Sequence, residues 1–432
     1  MSPVPAACDV AIVGAGAAGL ATAILLKRAN PRVHVVLLEG AARPGAKILV
    51  SGGGRCNVTN TVVHENDFWG GRRTTIRRVL RSMPVRDTVA FFRDLGVPLH
   101  EEPGGKLFPD SNRARDVLDA LLRAAESASV DLQSATRVLA VARHGDRFLV
   151  ETSRGALSAT ALVLATGGRS LPKSGSDGAG YEFARGLGHS LVATTPALVP
   201  LVLDGAMGHG IHAELSGVSI DGEIAVWVDG AVATRLSGAL LWTHFGVSGP
   251  LVLNASRHWA RARMEGRGVH LTLNMRPGER FEQVDANWTA AVSARPRATV
   301  RSTIAADLPD AVAIAVLKVL ELAPDLPLAD LTRVDRRRIV HALTAWPLPV
   351  VDTRGYNFAE VTAGGVDLAE IDPATMESRV CARLFLVGEI LDVDGRIGGF
   401  NFQWAWSGAA AAAAALARMS GAGTAGPGSE RR

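Results

Sequence analysis

The first residues able to do chemistry are three glycines and a carboxylate near the start of the chain. Gly14, Gly16 and Gly19 form a G-x-G-x-x-G sequence, and Glu39 follows at about 20 residues past the last glycine. In such a sequence the first glycine permits a tight turn, the second lets the backbone approach a pyrophosphate, and the third lets a helix pack on a strand. The acid, at that distance, accepts a hydrogen bond from a ribose hydroxyl.

The segments around these residues supply the elements that must position them. Residues 10–13 are an apolar run, residues 20–28 carry apolar side chains at helical spacing, and residues 33–38 form a second apolar run. A helix that begins at the glycines directs free N–H groups and a positive dipole end at the phosphates. Together these features predict a βαβ dinucleotide-binding unit. The alternative is a turn that merely happens to be rich in glycine.

A second glycine-rich segment, residues 51–60, has the sequence Ser-Gly-Gly-Gly-Arg-Cys-Asn-Val-Thr-Asn. Three consecutive glycines are not expected in a core strand. Because the segment follows the predicted ribose-binding acid, we expect its backbone N–H groups to lie along the phosphates and ring of the cofactor. The alternative is a flexible surface loop, which would leave the polar residues after the glycines unexplained.

Residues 51–60, taken with residues 388–406 near the C-terminus, resemble a family of bacterial flavoproteins. This is the BaiN/YhiN-type, or aminoacetone-oxidase-like, family of NAD(P)/FAD-dependent oxidoreductases, and the resemblance covers nearly the whole chain. It implies FAD as the bound cofactor. The middle of the chain has no second G-x-G-x-x-G and therefore no separate nicotinamide domain. NAD(P)H would have to visit the flavin transiently, as a co-substrate.

Two further apolar strands end in residues expected near the cofactor. Residues 161–168 end in Ala-Thr-Gly-Gly, and a core strand that happens to end in glycines is the alternative. Residues 388–394, with Gly388, Glu389 and Asp392, resemble the strand end where a flavoprotein acid holds the ribityl chain. In a doubly wound layout both strand ends come back to the dinucleotide.

A long alanine-rich helix is predicted from about Asn401 to Met419, after Gly398 and Gly399. Its N-terminal N–H groups and dipole would stabilise the negative charge that grows on the N1 and O2 side of a flavin during reduction. The alternative is a terminal helix that only closes the sheet. That alternative accounts for the alanines but leaves the Gly-Gly-x-Asn-x-Gln sequence unexplained, so we expect the helix to face the flavin.

These segments predict an α/β protein with a discontinuous FAD-binding domain, residues 1–192 and 355–432. The fold is doubly wound, Rossmann-like, and of the two-dinucleotide-fold type. Residues 193–278 carry short alternating runs with Asp-Gly turns and predict an inserted β-rich subdomain, and residues 279–354 predict an inserted helical subdomain with proline breaks. Ligand pockets usually form at domain boundaries, so we expect the insertion to cover the flavin. The tail from Gly421 is predicted to be disordered.

Composition limits the class of protein. The 432 residues exceed what one core usually holds, and 47% hydrophobic with 20% charged residues indicates a globular chain. A net charge of +4 permits an acidic partner, although only five of the 46 basic residues are Lys and arginine is abundant throughout. The first strand leaves no room for a signal peptide, and no apolar run reaches the roughly 20 residues of a membrane span. We therefore expect a cytoplasmic protein without membrane contact, of undetermined oligomeric state.

Two segments could contact a substrate. Residues 64–86 contain six arginines behind Phe68 and Trp69, which suits nucleic acid; a solvated helix face is the alternative. Residues 241–250, in the insertion, match the family closely and could form part of a substrate wall through Thr243 and His244. A histidine with a purely structural role is the alternative there.

The family resemblance implies three activities: amine oxidation of the aminoacetone type, reduction of conjugated C=C bonds in steroid-like substrates, and reduction of a uridine in large-subunit ribosomal RNA to dihydrouridine. The flavin carries the chemistry while the protein orients and polarises. A basic chain without a lipid-facing segment fits C=C reduction best, and RNA is the leading specific prediction over a small molecule. A non-enzymatic flavoprotein, acting as a redox sensor or scaffold, is the competing class.

The predicted FAD-binding residues come from all these segments: Gly14, Gly16, Ala18, Gly19, Glu39, Lys47, Ser51, Gly52, Gly53, Arg55, Cys56, Asn57, Thr59, Val138, Thr166, Gly167, Gly168, Gly388, Glu389, Asp392, Gly398, Gly399, Phe400 and Asn401. Cys56 is also a candidate proton donor for C=C reduction, since a thiol near the ring can act as an acid. A buried cysteine that only shapes the loop is the alternative. The three cysteines lie far apart without C-x-x-C spacing, so no metal site is predicted.

Overall fold

A computed structural model describes residues 4–205 and 211–422. Its strands are β1 Ala7–Val13, β2 Val35–Leu38, β3 Thr59–Asn60, β4 Phe68–Gly70, β5 Leu99–Glu102, β6 Lys106–Pro109, β7 Asp131–Gln133, β8 Val138–His144, β9 Arg147–Thr152, β10 Gly155–Leu164, β11 Leu191–Ala197, β12 Leu201–Leu203, β13 Ser219–Val228, β14 Ala231–Thr243, β15 Gly246–Ser248, β16 Val269–Asn274, β17 Trp346–Leu348, β18 Val350–Thr353, β19 Val361–Val366, β20 Leu384–Leu386 and β21 Val393–Gly395. Its helices are α1 Ala17–Ala29, α2 Ala46–Gly54, α3 Arg73–Leu80, α4 Val85–Asp94, α5 Ala114–Ser127, α6 Ala179–Gly186, α7 Ile211–Glu214, α8 Pro250–Met264, α9 Phe281–Ala294, α10 Val300–Ile304, α11 Asp310–Val319, α12 Arg333–Thr344 and α13 Phe400–Ala422.

The chain divides into two compact units. One consists of Met1–Thr194 and Glu360–Arg432, and the other of Thr195–Ala359. We call them the discontinuous unit and the inserted unit. Of the tail that the sequence predicts to be disordered, the first two residues end α13, and residues 423–432 lie outside the described residues.

The discontinuous unit is built on a mixed sheet in the order β7-β2-β1-β10-β9-β8, with β20 paired to β10. The pairs β1–β2, β1–β10, β2–β7 and β10–β20 are parallel. Every residue of β2 is buried, as expected of a strand that is covered on both faces. This is a Rossmann-type α/β fold, which confirms the predicted fold class.

Helix α13 packs along α1 in the discontinuous unit. Alanines at residues 409 and 411–413 are buried, and small side chains let two helices approach closely. Trp404 and Trp406, in the first turns of α13, are also buried. The C-terminal helix therefore completes the layer that begins with the first helix of the chain.

The inserted unit contains an antiparallel sheet in the order β17-β16-β13-β14-β15-β12-β18. Helix α8 packs on β13, β14 and β16. One hydrophobic core runs through this sheet and helices α8 to α12, so strands and helices of the insertion share their packing. The limits of the predicted β-rich and helical subdomains stay a prediction, because shared packing does not show whether either part folds alone.

In residues 4–205 and 211–422, no helix has both the length and the apolar character needed to cross a membrane.

Candidate functional site

The first glycine turn connects β1 to α1, and the structure gives each glycine a different physical reason. Gly14 has φ +102°, and a Cβ there would lie 2.5 Å from the carbonyl oxygen of Ala165. A Cβ on Gly19 would lie 1.9 Å from the oxygen of Gly14, so the helix can pack this closely only without a side chain. A Cβ on Gly16 would meet nothing within 4 Å. The open space beside Gly16 is where a pyrophosphate would fit.

Glu39 lies beneath the same turn. Its Oε2 accepts from the backbone N–H of Ala15 at 2.9 Å, and its Oε1 accepts from that of Ala41 at 2.8 Å. A carboxylate offers about four lone-pair directions, so both oxygens retain capacity for ribose hydroxyls. The N-cap of α1, Gly16, has no side-chain capping bond, which leaves that helix end suited to an anion.

A second group of polar residues surrounds Glu389 in the discontinuous unit. Glu389 Oε2 pairs with Lys47 Nζ at 2.5 Å, and Glu389 Oε1 accepts from the backbone N–H of Thr362 at 3.0 Å. A Cβ on Gly168 would lie 2.4 Å from Thr362 Oγ1 and 2.8 Å from Glu389 Oε1. The structure thus brings the Ala-Thr-Gly-Gly strand end together with the Gly388-Glu389 turn, and cofactor binding by both stays a prediction.

Thr362 is a residue that the predicted site omits. Its Oγ1 accepts from the backbone N–H groups of Arg169 at 2.8 Å and Ser170 at 3.1 Å, which fixes the turn after β10. The sequence signal was available, since residues 362–365 are Thr-Ala-Gly-Gly and carry a glycine pair like that of residues 165–168. The residue type alone does not show that a threonine positions the backbone of Arg169 and Ser170, which lie nearly two hundred residues earlier in the sequence.

One further contact connects the first glycine turn to the group around Glu389. A Cβ on Gly388 would meet the Cβ of Ala18 at 3.0 Å, so this turn lies against α1. Thr166 Oγ1 is buried and has no hydrogen-bond partner among the described residues, at the strand end next to the glycine turn. A buried hydroxyl without a hydrogen-bond partner, next to the open space beside Gly16, is suited to a polar ligand. The residues present therefore fit the adenosine, pyrophosphate and ribityl parts of FAD.

The second glycine segment is the end of α2. Its helix is interrupted at Ser51, Gly52 and Gly53, and Gly52 to Gly54 all have positive φ. A Cβ on Gly53 would meet nothing within 4 Å, whereas Gly52 packs on Phe108 and Asn57. This loop therefore presents open backbone at Gly53.

Other predicted residues of this loop have partners inside the protein. Ser51 Oγ donates to the carbonyl oxygen of Ile48 at 2.8 Å, and Thr59 Oγ1 donates to Gln403 Oε1 at 2.6 Å. Arg55 pairs with Glu102 and stacks over the ring of Phe108, with 4.2 Å from its guanidinium carbon Cζ to the ring centroid. Asn57, in the same loop, is buried, as is Val138 at the start of β8. These contacts hold the loop in shape, and cofactor binding by these side chains stays a prediction.

Cys56 is fully buried, with 0% exposure and φ +62°. Burial raises the pKa of its thiol to about 12, against a smaller lowering by the Ser51 side chain. A thiol without exposed surface does not meet a substrate, and a pKa this high makes it a weak acid at neutral pH. The structure favours the alternative that this cysteine shapes the loop.

The C-terminal glycine pair lies against protein. Gly399 has φ +92°, and a Cβ there would lie 2.5 Å from the backbone carbon and oxygen of Thr59. Asn401 accepts from the backbone N–H of Gly395 at 2.8 Å and donates to its carbonyl at 2.9 Å. Phe400 is buried and makes an edge contact with Phe68. Asp392 contributes its carbonyl oxygen to the N–H of Gly71 at 2.9 Å.

Three residues of α13 that the predicted site omits donate hydrogen bonds to the backbone of the segments expected to bind the cofactor. Gln403 Nε2 donates to the carbonyl of Met83 at 2.6 Å, in addition to the Thr59 contact. Trp404 Nε1 donates to the carbonyl of Gly388 at 3.2 Å, and Trp406 Nε1 donates to that of Val58 at 2.9 Å. The helix therefore fixes both the second glycine segment and the Gly388 turn, and this accounts for much of the sequence Gly-Gly-x-Asn-x-Gln.

Glu360 is another residue that the predicted site omits. It is exposed, and yet burial among its surroundings raises its pKa, while Lys47 and Lys106 oppose that rise. Lys47, whose charge acts on Glu360, also pairs with Glu389 of the predicted ribityl site. Within the described part of the chain, no group of three or more His, Cys, Asp and Glu residues is arranged to hold a metal ion.

The fold, the first glycine turn with Glu39 and the group around Glu389 define a Rossmann-type flavoprotein. The family model described as HI0933-like protein Rossmann domain matches residues 8–415. The chain belongs to this family and is an FAD-dependent oxidoreductase, which confirms both the predicted family and the predicted enzyme class.

The chain is similar over nearly its whole length to curated proteins. It is 34% identical over 399 residues to the ribosomal RNA dihydrouridine synthase of Escherichia coli K12, covering 92% of this chain and 94% of that protein. It is 32% identical over 395 residues to the 3-dehydro-bile acid delta(4,6)-reductase of Clostridium scindens, covering 91% and 95%. Similarity extends to the ribosomal RNA dihydrouridine synthase of Haemophilus influenzae, at 30% identity over 403 residues, covering 91% and 94%.

Among solved structures, the 3-ketosteroid delta1-dehydrogenase of Sterolibacterium denitrificans aligns with a TM-score of 0.51 at 13% identity, covering 96% of this chain and 100% of that one. A quinol-fumarate reductase with menaquinol molecules aligns with a TM-score of 0.50 at 18% identity, covering 98% and 73%. At these identities the likeness concerns the fold alone.

Proposed function

We propose that this protein reduces a uridine of large-subunit ribosomal RNA to dihydrouridine in the cytoplasm, with FAD as cofactor and NAD(P)H as electron donor. Two relatives named as ribosomal RNA dihydrouridine synthases support this, at 34% and 30% identity over nearly the full chain. The observation that carries the choice of RNA is a set of exposed arginines around α3 without acidic partners.

That arginine surface consists of Arg72, Arg73, Arg78 and Arg81, all exposed. Arg77 of the same helix pairs with Glu65, whereas none of the four has an ion pair or hydrogen bond from its side chain within residues 4–205 and 211–422. Of these four, Arg73 and Arg81 lie on the same face of α3 and its C-cap as Arg77, away from the buried Ile76 and Val79. Uncompensated arginines clustered in this way suit contacts to RNA phosphates.

The chemistry divides between cofactor and protein. When bound, FAD would supply the hydride for one carbon of the uracil C5=C6 bond, and NAD(P)H would supply the electrons that return the flavin to its reduced form. The other carbon needs a proton, and we propose that Glu360 donates it. Because its pKa is raised, this carboxyl keeps its proton to a higher pH than an ordinary glutamate, and Lys47 next to it stabilises the carboxylate after transfer. Solvent then restores the proton.

The role of Glu360 has a kinetic test. A general acid must be protonated, so the rate of RNA reduction in the wild type falls as pH rises through the pKa of Glu360. Glu360→Gln keeps the size of the side chain, removes the proton, and should abolish that high-pH decline together with most of the rate. Flavin reduction by NADPH should be unaffected in the same variant. An unchanged pH profile with full activity would assign the proton to another group.

The proposed function is tested by deleting the gene and measuring dihydrouridine in large-subunit RNA by mass spectrometry. We expect the modified base to disappear and to return with a plasmid copy. In anaerobic mixing, NADPH or NADH should bleach the flavin, and RNA from the deletion strain should restore its colour. Unchanged dihydrouridine after deletion would rule out the RNA substrate.

The second candidate is reduction of a conjugated C=C bond in a steroid-like small molecule. The 32% identity to the 3-dehydro-bile acid reductase favours it. In that case unsaturated 3-keto steroids, and not RNA, reoxidise the reduced protein. Amine oxidation of the aminoacetone type would instead show as flavin bleaching by the amine without any nicotinamide.

A further inference from the structure

The inserted unit carries an arginine held between two aromatic rings. The guanidinium carbon Cζ of Arg354 lies 4.4 Å from the ring centroid of Phe245 and 3.8 Å from that of Phe358. Phe245 belongs to the turn between β14 and β15, and Arg354 directly follows β18, the last strand of the sheet order. The backbone N–H of Arg354 donates to the carbonyl of Pro200 at 3.0 Å, and that of Phe358 donates to Gly355 at 3.1 Å. Backbone contacts thus fix both chain segments. We call these three side chains the stacking platform.

The platform has two properties that packing alone does not require. Phe358 is 51% exposed, so one face of the stack is open to solvent. Arg354 has no carboxylate partner and no hydrogen bond from its guanidinium within the described residues. Its charge is therefore uncompensated, while most arginines of the inserted unit for which a contact is known pair with acids, as Arg336 does with Asp285 and Arg276 with Asp307.

The turn that carries Phe245 has further unsatisfied groups. Thr243 Oγ1 is buried without a hydrogen-bond partner in the described part of the chain. His244 is exposed and makes an edge contact with Phe245, with 5.1 Å between ring centroids. A hydroxyl that lacks a partner and an exposed imidazole next to the stack are groups that a polar ligand would satisfy.

We propose that the stacking platform binds an unpaired RNA base, which stacks on Phe358 while Arg354 contributes its plane and its charge to the base and its phosphate. Proteins recognise single-stranded RNA by stacking splayed bases on aromatic side chains and guanidinium planes. A flat ring next to an uncompensated cation matches a base with its phosphate. This inference rests on the proposed function, because it names how the inserted unit holds the same RNA.

The test measures binding of large-subunit RNA, purified from cells lacking the gene, to the FAD-loaded full-length protein. Phe358→Ala should weaken binding about tenfold, which is within the range for one stacked base. Phe358→Trp should bind like the wild type, since it keeps a ring. Neither change should alter the salt dependence, because no phosphate contact is lost.

Arg354→Lys supplies the second arm and Arg337→Lys the matched control. Lysine keeps the charge without the plane, so Arg354→Lys should weaken binding and dihydrouridine formation. Within the described residues Arg337 stacks on one ring, with its Cζ 5.1 Å from the centroid of Phe281 in the same unit, and Arg337→Lys should leave RNA binding and dihydrouridine formation unchanged. FAD content and melting temperature show that each variant is folded. If Phe358→Ala were unfolded, Arg354→Lys would decide.

The outcomes separate the two proposals. If wild-type protein binds and modifies RNA while the folded Phe358→Ala and Arg354→Lys variants do so equally well, the platform is wrong and the function stands. If wild-type protein neither binds RNA nor forms dihydrouridine, the proposed function fails and the platform fails with it. Loss of binding in both platform variants, with rescue by Phe358→Trp and an unchanged Arg337→Lys, supports the proposal.

Discussion

The two glycine-rich turns of the discontinuous unit have the same appearance in the sequence and different surroundings in the structure. Beside Gly16, in the first turn, there is open space and a helix end without a side-chain cap. Beside Gly399, in the last turn, the backbone of Thr59 lies 2.5 Å from where a Cβ would stand. The first turn is open to a ligand, whereas the space beside the last turn is filled by the backbone of Thr59.

The difference shows that a glycine indicates close approach without saying what approaches. In the C-terminal segment Asn401 binds the backbone of Gly395, and Gln403 binds Thr59 and Met83. These contacts explain the polar residues that the terminal-helix alternative left unexplained in the sequence. The segment fixes the Thr59 loop through Gln403 and the Gly388 turn through Trp404, and both are expected to border the cofactor.

The largest effect is expected from Gly399→Ala. The new Cβ would collide with Thr59, and φ +92° is unfavourable for any residue with a side chain. We expect a loss of about 1–2 kcal/mol from the backbone and about 1–3 kcal/mol from overpacking, measured by thermal and urea unfolding. Gly53→Ala is the matched control, since its φ is +68° and nothing lies within 4 Å. Equal losses in the two variants would contradict the contact with Thr59.

The second prediction concerns Gly16→Val. Its φ of −83° accepts a side chain and the space is open, so the protein should fold with a nearly unchanged melting temperature. The valine would occupy the place of the pyrophosphate, so FAD affinity should fall at least about 100-fold, or about 2.7 kcal/mol. Flavin absorbance of the purified variant measures this. Full FAD content would mean that the dinucleotide lies elsewhere.

Glu39→Gln should have the next largest effect. A charge-assisted bond to ribose contributes about 1.5–3 kcal/mol, so we expect FAD affinity to fall about tenfold or more in a flavin titration. Stability should also fall, because the amide cannot accept from both Ala15 and Ala41. Asp9→Asn is the control: Asp9 Oδ2 accepts from the backbone N–H of His34 at 2.8 Å in the same βαβ unit. It should lose stability without losing FAD.

Contiguous features could be predicted from the sequence. The βαβ unit, its glycines and Glu39 lie within one short stretch, and local periodicity is enough to order them. Local patterns also indicated strands β13, β14 and β16 and helices α9 to α12 of the insertion, but not helix α8 or strands β17 and β18. Contacts such as Gly399 with Thr59, or Thr362 with Glu389, join distant parts of the chain, and no local pattern encodes them. Glu360 was missed for the same reason, because its pKa depends on what the fold brings around it.

The variant with the smallest expected effect tests whether α13 changes the two-electron potential of the flavin, which stays a prediction. Asn401→Ala removes two hydrogen bonds to Gly395, each contributing about 1 kcal/mol, so the free energy of unfolding should fall by about 1–2 kcal/mol. If the segment acts only as a support, the two-electron potential of the flavin should move by less than about 30 mV, which corresponds to roughly 1.4 kcal/mol.

Asn30→Ala is the control for general loosening of that helix, because Asn30 Nδ2 donates to the carbonyl of Ala417 at 3.4 Å, near the other end of α13. It should lower stability slightly and leave the potential unchanged. A fall in potential beyond about 30 mV in Asn401→Ala, absent from Asn30→Ala, would show that the first N–H groups of α13 stabilise the reduced ring. The last glycine turn would then both contact the Thr59 backbone and stabilise the cofactor, so both glycine turns would bind the ligand and the last would also pack against protein.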